Sequence, residues 1–212
     1  MTSRPSATPT LFDRSKRAFD VLASSLALIV TAPVTIVLSV LIAVKLGRPV
    51  LFRQARPGQH GEVFELVKFR TMLNPDPSRG IETNEDRMTA FGSKLRNWSL
   101  DELPSLWNIL TGDMSLVGPR PLLTTYLPLY TAEQARRHEV RPGLTGLAQV
   151  NGRNQLDWES RFEFDVEYVD NRSWRLDAKI LALTFQKVLK REGIATTGHV
   201  VGAPFQGRED TQ

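Results

Sequence analysis

The sequence predicts a mostly helical α+β fold on an N-terminal membrane segment, and three observations carry that expectation. Val21–Val44 holds no charged side chain. Two stretches of alternating apolar and polar residues flank the turn-rich segment ARPGQHG. Beyond them, apolar residues recur at helical spacing in several short segments. With 212 residues the chain has the length of one ordinary domain, with enough core to fold unaided.

The apolar run decides where the chemistry takes place. As one straight helix it would extend roughly 36 Å, enough to cross a bilayer. Pro33 lies near its centre and divides it into halves of about 18 Å. A proline there removes a backbone hydrogen bond and kinks the helix, and Thr31 and Thr35 are placed to re-satisfy freed carbonyls. Arg4, Arg14, Lys16 and Arg17 precede the run, while Lys45, Arg48, Arg53 and Arg56 follow it. Basic residues on both flanks give the positive-inside rule no direction. Two topologies therefore stand on the residues alone: a spanning helix, and a helix that breaks at Pro33 and leaves by the face it entered.

Gly47-Arg48-Pro49 ends this segment, and Val50–Gln54 with Glu62–Phe69 reads as a β-hairpin whose second strand sends Lys68 and Arg70 to one face. Asn74–Asn84 is a loop by composition. Glu85–Trp98 has helical spacing, with Met88, Phe91 and Leu95 together. Ser99 followed by Glu102 reads as a capping box opening a helix Leu100–Leu110, which Gly112–Asp113 terminates. Leu122–Tyr130, rich in Leu, Tyr and Pro, suits an interfacial position. Thr131–Val140 is a charged helix candidate, and Arg141–Gly146 a turn-rich loop whose glycines allow close approach of a ligand. In Asp157–Asn171 aromatics alternate with acids; the ordinary arrangement buries the aromatics, and the other turns Asp165 toward the site. Leu176–Lys190 is amphipathic and, with Arg191, basic enough to lie on an anionic leaflet. The boundaries follow: a flexible N-terminus at 1–10, the apolar helical membrane segment at 11–46, an interfacial domain at 47–205 and a flexible tail at 206–212.

Charge and composition narrow the chemistry. A net charge of +4 and a pI near 9.6 suit an anionic partner. The absence of cysteine excludes disulfides, thiol catalysis and Cys-ligated zinc, and His60, His138 and His199 lie too far apart to show ligand spacing. The segment Arg96–Pro121 is the candidate site. It brings together Arg96, the adjacent carboxylates Asp101 and Glu102, and Arg120 locked between Pro119 and Pro121. Carboxylate oxygens hold Mg²⁺ and a guanidinium fork matches phosphate oxygens, so the set suits a metal and a phosphate. The same carboxylates also satisfy a plain helix start, in which Glu102 caps and Asp101 favours the N-terminus.

Six segments taken together resemble the bacterial sugar transferase family: FRQARPG (52–58), KFRTM (68–72), SLDELP (99–104), GDMSLVGPRP (112–121), RPGLTG followed by AQVNGR (141–153) and LDAKILALT (176–184). The resemblance is to its small monotopic phosphoglycosyl transferases and runs from about Leu11 to Phe205. It implies transfer of a sugar-1-phosphate from a UDP-sugar to polyprenyl (undecaprenyl) phosphate with release of UMP, early in glycoconjugate synthesis. In that family the aspartate of the pair is the nucleophile and the glutamate binds Mg²⁺. Carried over, Asp101 forms a phosphosugar ester, Glu102 holds the metal, Arg120 with Pro121 holds a phosphate, and Lys68, Arg96, Asp165 and Asp177 support the site. The resemblance also implies a re-entrant membrane helix-break-helix kinked at Pro33, amphipathic helices at the membrane interface, an anionic phospholipid membrane as partner, the cytoplasmic face of the bacterial inner membrane, and a possible homodimer. The chain departs from the family pattern in having Ala32 before Pro33 where Ser is usual, and Leu147 where Trp is common.

Two other functions compete. A membrane-tethered glycosyltransferase using a nucleotide-sugar would bring an Asp-x-Asp metal motif, and the sequence has none. A non-catalytic basic module binding lipid would have no use for Asp101–Glu102. No nucleic-acid-binding signature is present, and no nucleic acid is expected as a partner.

Overall fold

A computed structural model of the chain describes residues 10–152, 156–190 and 204–207. The expected flexible termini fall outside these residues except for Thr10, Gln206 and Gly207, as do Arg153 and Arg191.

Helix α1 (Leu11–Lys45) opens with a capping box between Thr10 and Asp13. Pro33 lies inside it and does not divide it: the expected helix-break-helix is one continuous helix of 35 residues. Thr31 donates its hydroxyl to the Ala27 carbonyl, not to the Ile29 carbonyl that Pro33 leaves without its usual partner, and Ser39 donates to Thr35. One stripe of α1 faces the rest of the chain toward each end, and the stretch around Pro33 is exposed. Asp20 and Ser24 are buried near one end and Leu38 and Ile42 near the other, while Ala27 and Leu28 pack between them on Leu66, Leu106, Ile109 and Met114. These positions recur at close to whole helical turns, which keeps them on one face. The opposite face leaves Leu22, Leu26, Ile29, Val30, Ile36, Val37, Val40 and Val44 exposed.

Polar ties fasten the first turns of α1. Arg17 donates to the carbonyls of Ile109 and Leu110 at 2.6 and 2.8 Å, and buried Asp20 accepts from the Leu116 amide at 3.1 Å. At the far end Leu38, Ile42 and Leu46 pack on Phe69 and Leu95. Buried Arg70 donates to the carbonyls of Leu46, Gly47 and Arg48. Leu46 is the C-cap of α1 and Gly47 and Arg48 follow it, so Arg70 ties down the turn that ends the helix and has a structural task.

The hairpin forms as β1 (Leu51–Pro57) and β2 (Val63–Phe69), antiparallel with Leu51 opposite Phe69. The expected helix over Glu85–Trp98 is two helices, α2 (Asn84–Arg87) and α3 (Ala90–Asn97), because Thr83 and Thr89 each act as an N-cap. Gly92 in α3 sits against β2's continuation, where a Cβ would lie 1.7 Å from the Thr71 carbonyl oxygen. Helix α4 (Ser105–Thr111) ends at Gly112 in the left-handed conformation, φ 103°, as expected.

A second sheet was not expected: β3 (Ser115–Val117) pairs in parallel with β4 (Gly143–Thr145). The Arg141–Gly146 glycines therefore admit the chain itself. A Cβ on Gly143 would lie 2.1 Å from the Gly118 nitrogen, and one on Gly146 2.2 Å from the Gly118 carbonyl oxygen. Residues Thr131–Val140 form the short α5 (Ala132–Ala135), capped by Thr131, and a 3₁₀ turn at Arg136–Glu139. Helix α6 (Leu147–Asn151) buries Leu147 in a core with Val117, Val140, Tyr168 and Ile180, so this residue serves packing. Helices α7 (Trp158–Asp170) and α8 (Trp174–Lys190) complete the fold. The aromatic residues of Leu122–Tyr130 turn inward: Tyr126 and Tyr130 join Trp158, Phe162 and Phe205 in a cluster of edge and stacked rings. Phe205 thereby docks the tail segment. On α8, Lys179, Phe185 and Leu189 are exposed.

Candidate active site

The site forms where β2 meets the turn that leads into α4. Opposed residues of an antiparallel pair share a face, and the register sets Phe52 opposite Lys68 and Arg56 opposite Phe64. Lys68 and Arg56 thus project from one side of the hairpin. Helix α4 is locked to the edge of β2 by side chains. Ser105 donates to the Val67 carbonyl at 2.7 Å, and Asn108 accepts from the Val67 amide at 3.0 Å and donates to the Glu65 carbonyl at 2.8 Å. Asn108 satisfies an open strand edge as a third strand would.

Between α3 and α4 the chain turns through Ser99, φ 53° and ψ 22°, a left-handed conformation uncommon for a residue with a Cβ. The expected capping box is absent. Ser99 makes no cap bond, and Leu100–Glu102 is a 3₁₀ turn ahead of α4. The Glu102 carboxylate is engaged elsewhere: its Oε1 accepts from Lys68 Nζ at 2.6 Å and from Arg120 Nη2 at 3.1 Å. Asp101 beside it joins no ion pair among the described residues, although Lys68, Arg120 and Arg96 all act on it through space. Arg96 is oriented by its Nε, which donates to Thr71 Oγ1 at 2.9 Å.

This inequality separates the two acids. Burial, reinforced by the charge of Glu102, raises Asp101 to about 6, and the three cations only partly offset it. Burial would raise Glu102 as well, but Lys68 and Arg120 outweigh it and hold Glu102 down at about 2. Burial lowers Lys68 despite Glu102, whereas Glu102 raises Arg120. One carboxylate is fixed by two cations; its neighbour keeps both oxygens available.

A cleft of about 390 Å³, counting its solvent-open part, opens beside Glu102. Its lining combines Arg56, Lys68, Glu102 and Arg120 with apolar Leu66, Met114, Leu122 and Leu144, and Pro121 contributes to it. No three carboxylate or imidazole groups converge among the described residues, so there is no all-protein metal cage. Two adjacent carboxylates do fit Mg²⁺, which is commonly held by one or two acids and completed by water and substrate phosphates.

Of the expected site residues, the structure brings together Asp101, Glu102, Lys68, Arg96, Arg120 and Pro121. Asp165 stands one step back. It is buried and accepts from Arg137 Nη2 at 2.7 Å and Nε at 3.0 Å, and Arg137 in turn donates to the Arg120 carbonyl at 2.7 Å. Asp177 is placed elsewhere, accepting from Lys16 at 2.6 Å and from the Tyr168 hydroxyl at 2.9 Å, where it joins α1 to α8. Sequence reasoning gave no site role to Arg56 or Arg137. The hairpin register, which aligns Arg56 with Lys68, was a usable signal for the first. Nothing distinguishes Arg137 from Arg136 in the sequence.

Comparison with known proteins places the chain in a family. The model of the family described as bacterial sugar transferase matches residues 12–191. A protein of Bacillus subtilis (strain 168) named uncharacterized sugar transferase EpsL is 53% identical over 196 residues, covering 92% of this chain and 97% of the relative. The undecaprenyl-phosphate galactose phosphotransferase of Salmonella typhimurium is 39% identical over 84% of this chain and 41% of its own length. The UDP-glucose:undecaprenyl-phosphate glucose-1-phosphate transferase of Klebsiella pneumoniae is 40% identical over 81% of this chain and 39% of its own. With its carboxylate pair, its arginine between prolines and a match over nearly its whole length, the chain belongs to the bacterial sugar transferase family.

Proposed function

We propose that the chain transfers a sugar-1-phosphate from a UDP-sugar to polyprenyl phosphate and releases UMP, through an ester on Asp101. Undecaprenyl phosphate is the acceptor in the names of the Salmonella and Klebsiella relatives, and we carry that substrate class to this chain. The observation that carries the mechanism is the unequal pair: Glu102 is held by Lys68 and Arg120, while Asp101 joins no ion pair among the described residues. Neighbouring acids pushed to opposite sides of the carboxylate range take different roles.

In the first step an Asp101 oxygen attacks the sugar-bearing β-phosphorus. The bond from that phosphorus to the bridging oxygen breaks, and the electron pair leaves with UMP. In the second step an oxygen of the lipid phosphate attacks the same phosphorus, the acyl phosphate bond breaks, and the Asp101 carboxylate is restored. Covalent catalysis of this kind divides one difficult displacement into two. Arg120 and Lys68 neutralise charge spread over the phosphoryl oxygens, and the charge of Arg96 favours the ionised form of Asp101. Mg²⁺ held through Glu102 would add Lewis-acid stabilisation of the same oxygens.

A water-soluble donor and a lipid-anchored acceptor require a site at the bilayer surface. Both ends of α1 are docked on the catalytic domain while its other face is apolar and exposed. That packing supports a helix that enters the bilayer and does not cross it, with the site on the cytoplasmic face, where UDP-sugars are. The test is purified protein in detergent with undecaprenyl phosphate, Mg²⁺ and a panel of UDP-sugars. Repeated turnover to UMP that requires the lipid, with at most one UMP per enzyme released in its absence, and loss of both in Asp101→Asn, is the expected result. Release of UDP instead would indicate a glycosyltransferase.

A further inference from the structure

We propose that Arg56 is a second phosphate-binding residue of the donor site, acting beside Arg120 on the diphosphate; this rests on the reading above for the identity of the donor. Arg56 lines the same cleft as Lys68, Glu102 and Arg120. Its Nη2 donates to Gln54 Oε1 at 2.6 Å, which fixes the plane of the guanidinium. The remaining contacts are incomplete: Nη1 reaches the Pro121 carbonyl only at 3.2 Å, and the buried Nε has no hydrogen-bond partner among the described residues. A buried guanidinium N–H without an acceptor is costly and needs an explanation.

The charges around it point to an anion. Arg56 forms no ion pair among the described residues, and the charged neighbour that acts on it most strongly is Arg120, another cation. Burial and that neighbour together draw Arg56 down to about 10. Two guanidinium groups held in each other's field are stabilised when an anion is shared between them. A diphosphate supplies oxygens on two phosphorus atoms and matches two planar forks. The hydrogen bond to Pro121 suggests a simpler task, a tether for the segment that carries Arg120. A tether uses one donor, however, and does not account for a guanidinium set among cations in the cleft.

The experiment compares wild type with Arg56→Lys and Arg56→Ala in detergent, since lysine keeps the charge and loses the fork. Donor and lipid KM and kcat are measured, together with the Tm shift produced by inorganic pyrophosphate. A donor KM raised about tenfold or more, an unchanged lipid KM and a diminished pyrophosphate shift in Arg56→Lys are expected. An unchanged donor KM with an undiminished shift overturns the assignment. So does a fall in kcat and Tm at constant donor KM, which is the mark of a tether. If Arg56→Ala does not fold, Arg56→Lys decides. If wild type transfers from no UDP-sugar, the transferase reading fails separately, and the pyrophosphate shift alone judges Arg56.

Discussion

Asp101 and Glu102, adjacent in the chain, are held on opposite sides of the usual carboxylate range: Glu102 is gripped by Lys68 at 2.6 Å, and Asp101 is raised to about 6. A nucleophilic carboxylate must be ionised. The rate of the first step with donor should therefore fall about tenfold per pH unit below about pH 6 and level off above it. Single-turnover kinetics across pH 4.5 to 8 check this, and a flat profile through pH 5 contradicts it.

The same shift sets the stability of the nucleophile variant. A folded-state value above the unfolded value of 3.8 means that the fold disfavours the ionised form. The penalty is absent below pH 3.8 and complete above about 6. Asp101→Asn should therefore be inactive yet more stable at pH 7, by about 1 kcal/mol after screening by solvent, with the advantage gone near pH 4. Denaturant melts at the two pH values measure it.

Glu102→Gln should act in the opposite direction. It leaves Lys68 and Arg120 without their shared anion, so kcat should drop at least 100-fold and the protein should lose about 1–3 kcal/mol. The Glu102 contribution is present above the unfolded value of 4.5 and fades as pH falls toward about 2. Initial rates and denaturant melts at pH 7 provide the comparison.

Arg137 and Asp165 are both buried and bond directly, and Arg137 also carries the Arg120 carbonyl. Arg137→Met alone should cost about 3–5 kcal/mol by leaving Asp165 buried without its partner. Combining it with Asp165→Leu should recover most of that loss without restoring activity, because Arg120 has lost its anchor. A double variant as unstable as the single one would show that the pairing is not what matters.

How much of this was legible depended on the reach of each interaction. The hairpin and the end of α4 at Gly112 are written in local alternation and turn residues, so they could be read directly. The carboxylate pair was found, but Ser99 and Glu102 satisfied the spacing of a capping box. Only Lys68 and Arg120, distant in sequence, reveal that Glu102 is recruited elsewhere. The glycines of Arg141–Gly146 read as room for a ligand, because sequence does not disclose that Gly118 lies against Gly143. Asp177 matched a family segment, yet its partner Lys16 lies 161 residues away, in α1. Helix α1 runs on through Pro33, where Ala32, Pro33 and Val34 are exposed, and the local pattern around a proline does not distinguish a continuous helix from a broken one.

The docking of both ends of α1 makes the topology testable. The chain has no cysteine, so single substitutions at either end of α1 give clean labels. Thr10→Cys and Arg48→Cys should both react with an impermeant maleimide from the cytoplasmic side of inverted vesicles. Labelling of the two from opposite sides would establish a spanning helix.

The central claim is a covalent bond between one aspartate and phosphorus before any lipid takes part. Incubating the protein with a UDP-sugar and Mg²⁺, without polyprenyl phosphate, and measuring intact mass tests it directly. A gain equal to one sugar-phosphate, mapped to Asp101 and discharged by added lipid phosphate, is the predicted result. An unmodified protein that still turns over once lipid is supplied would contradict it.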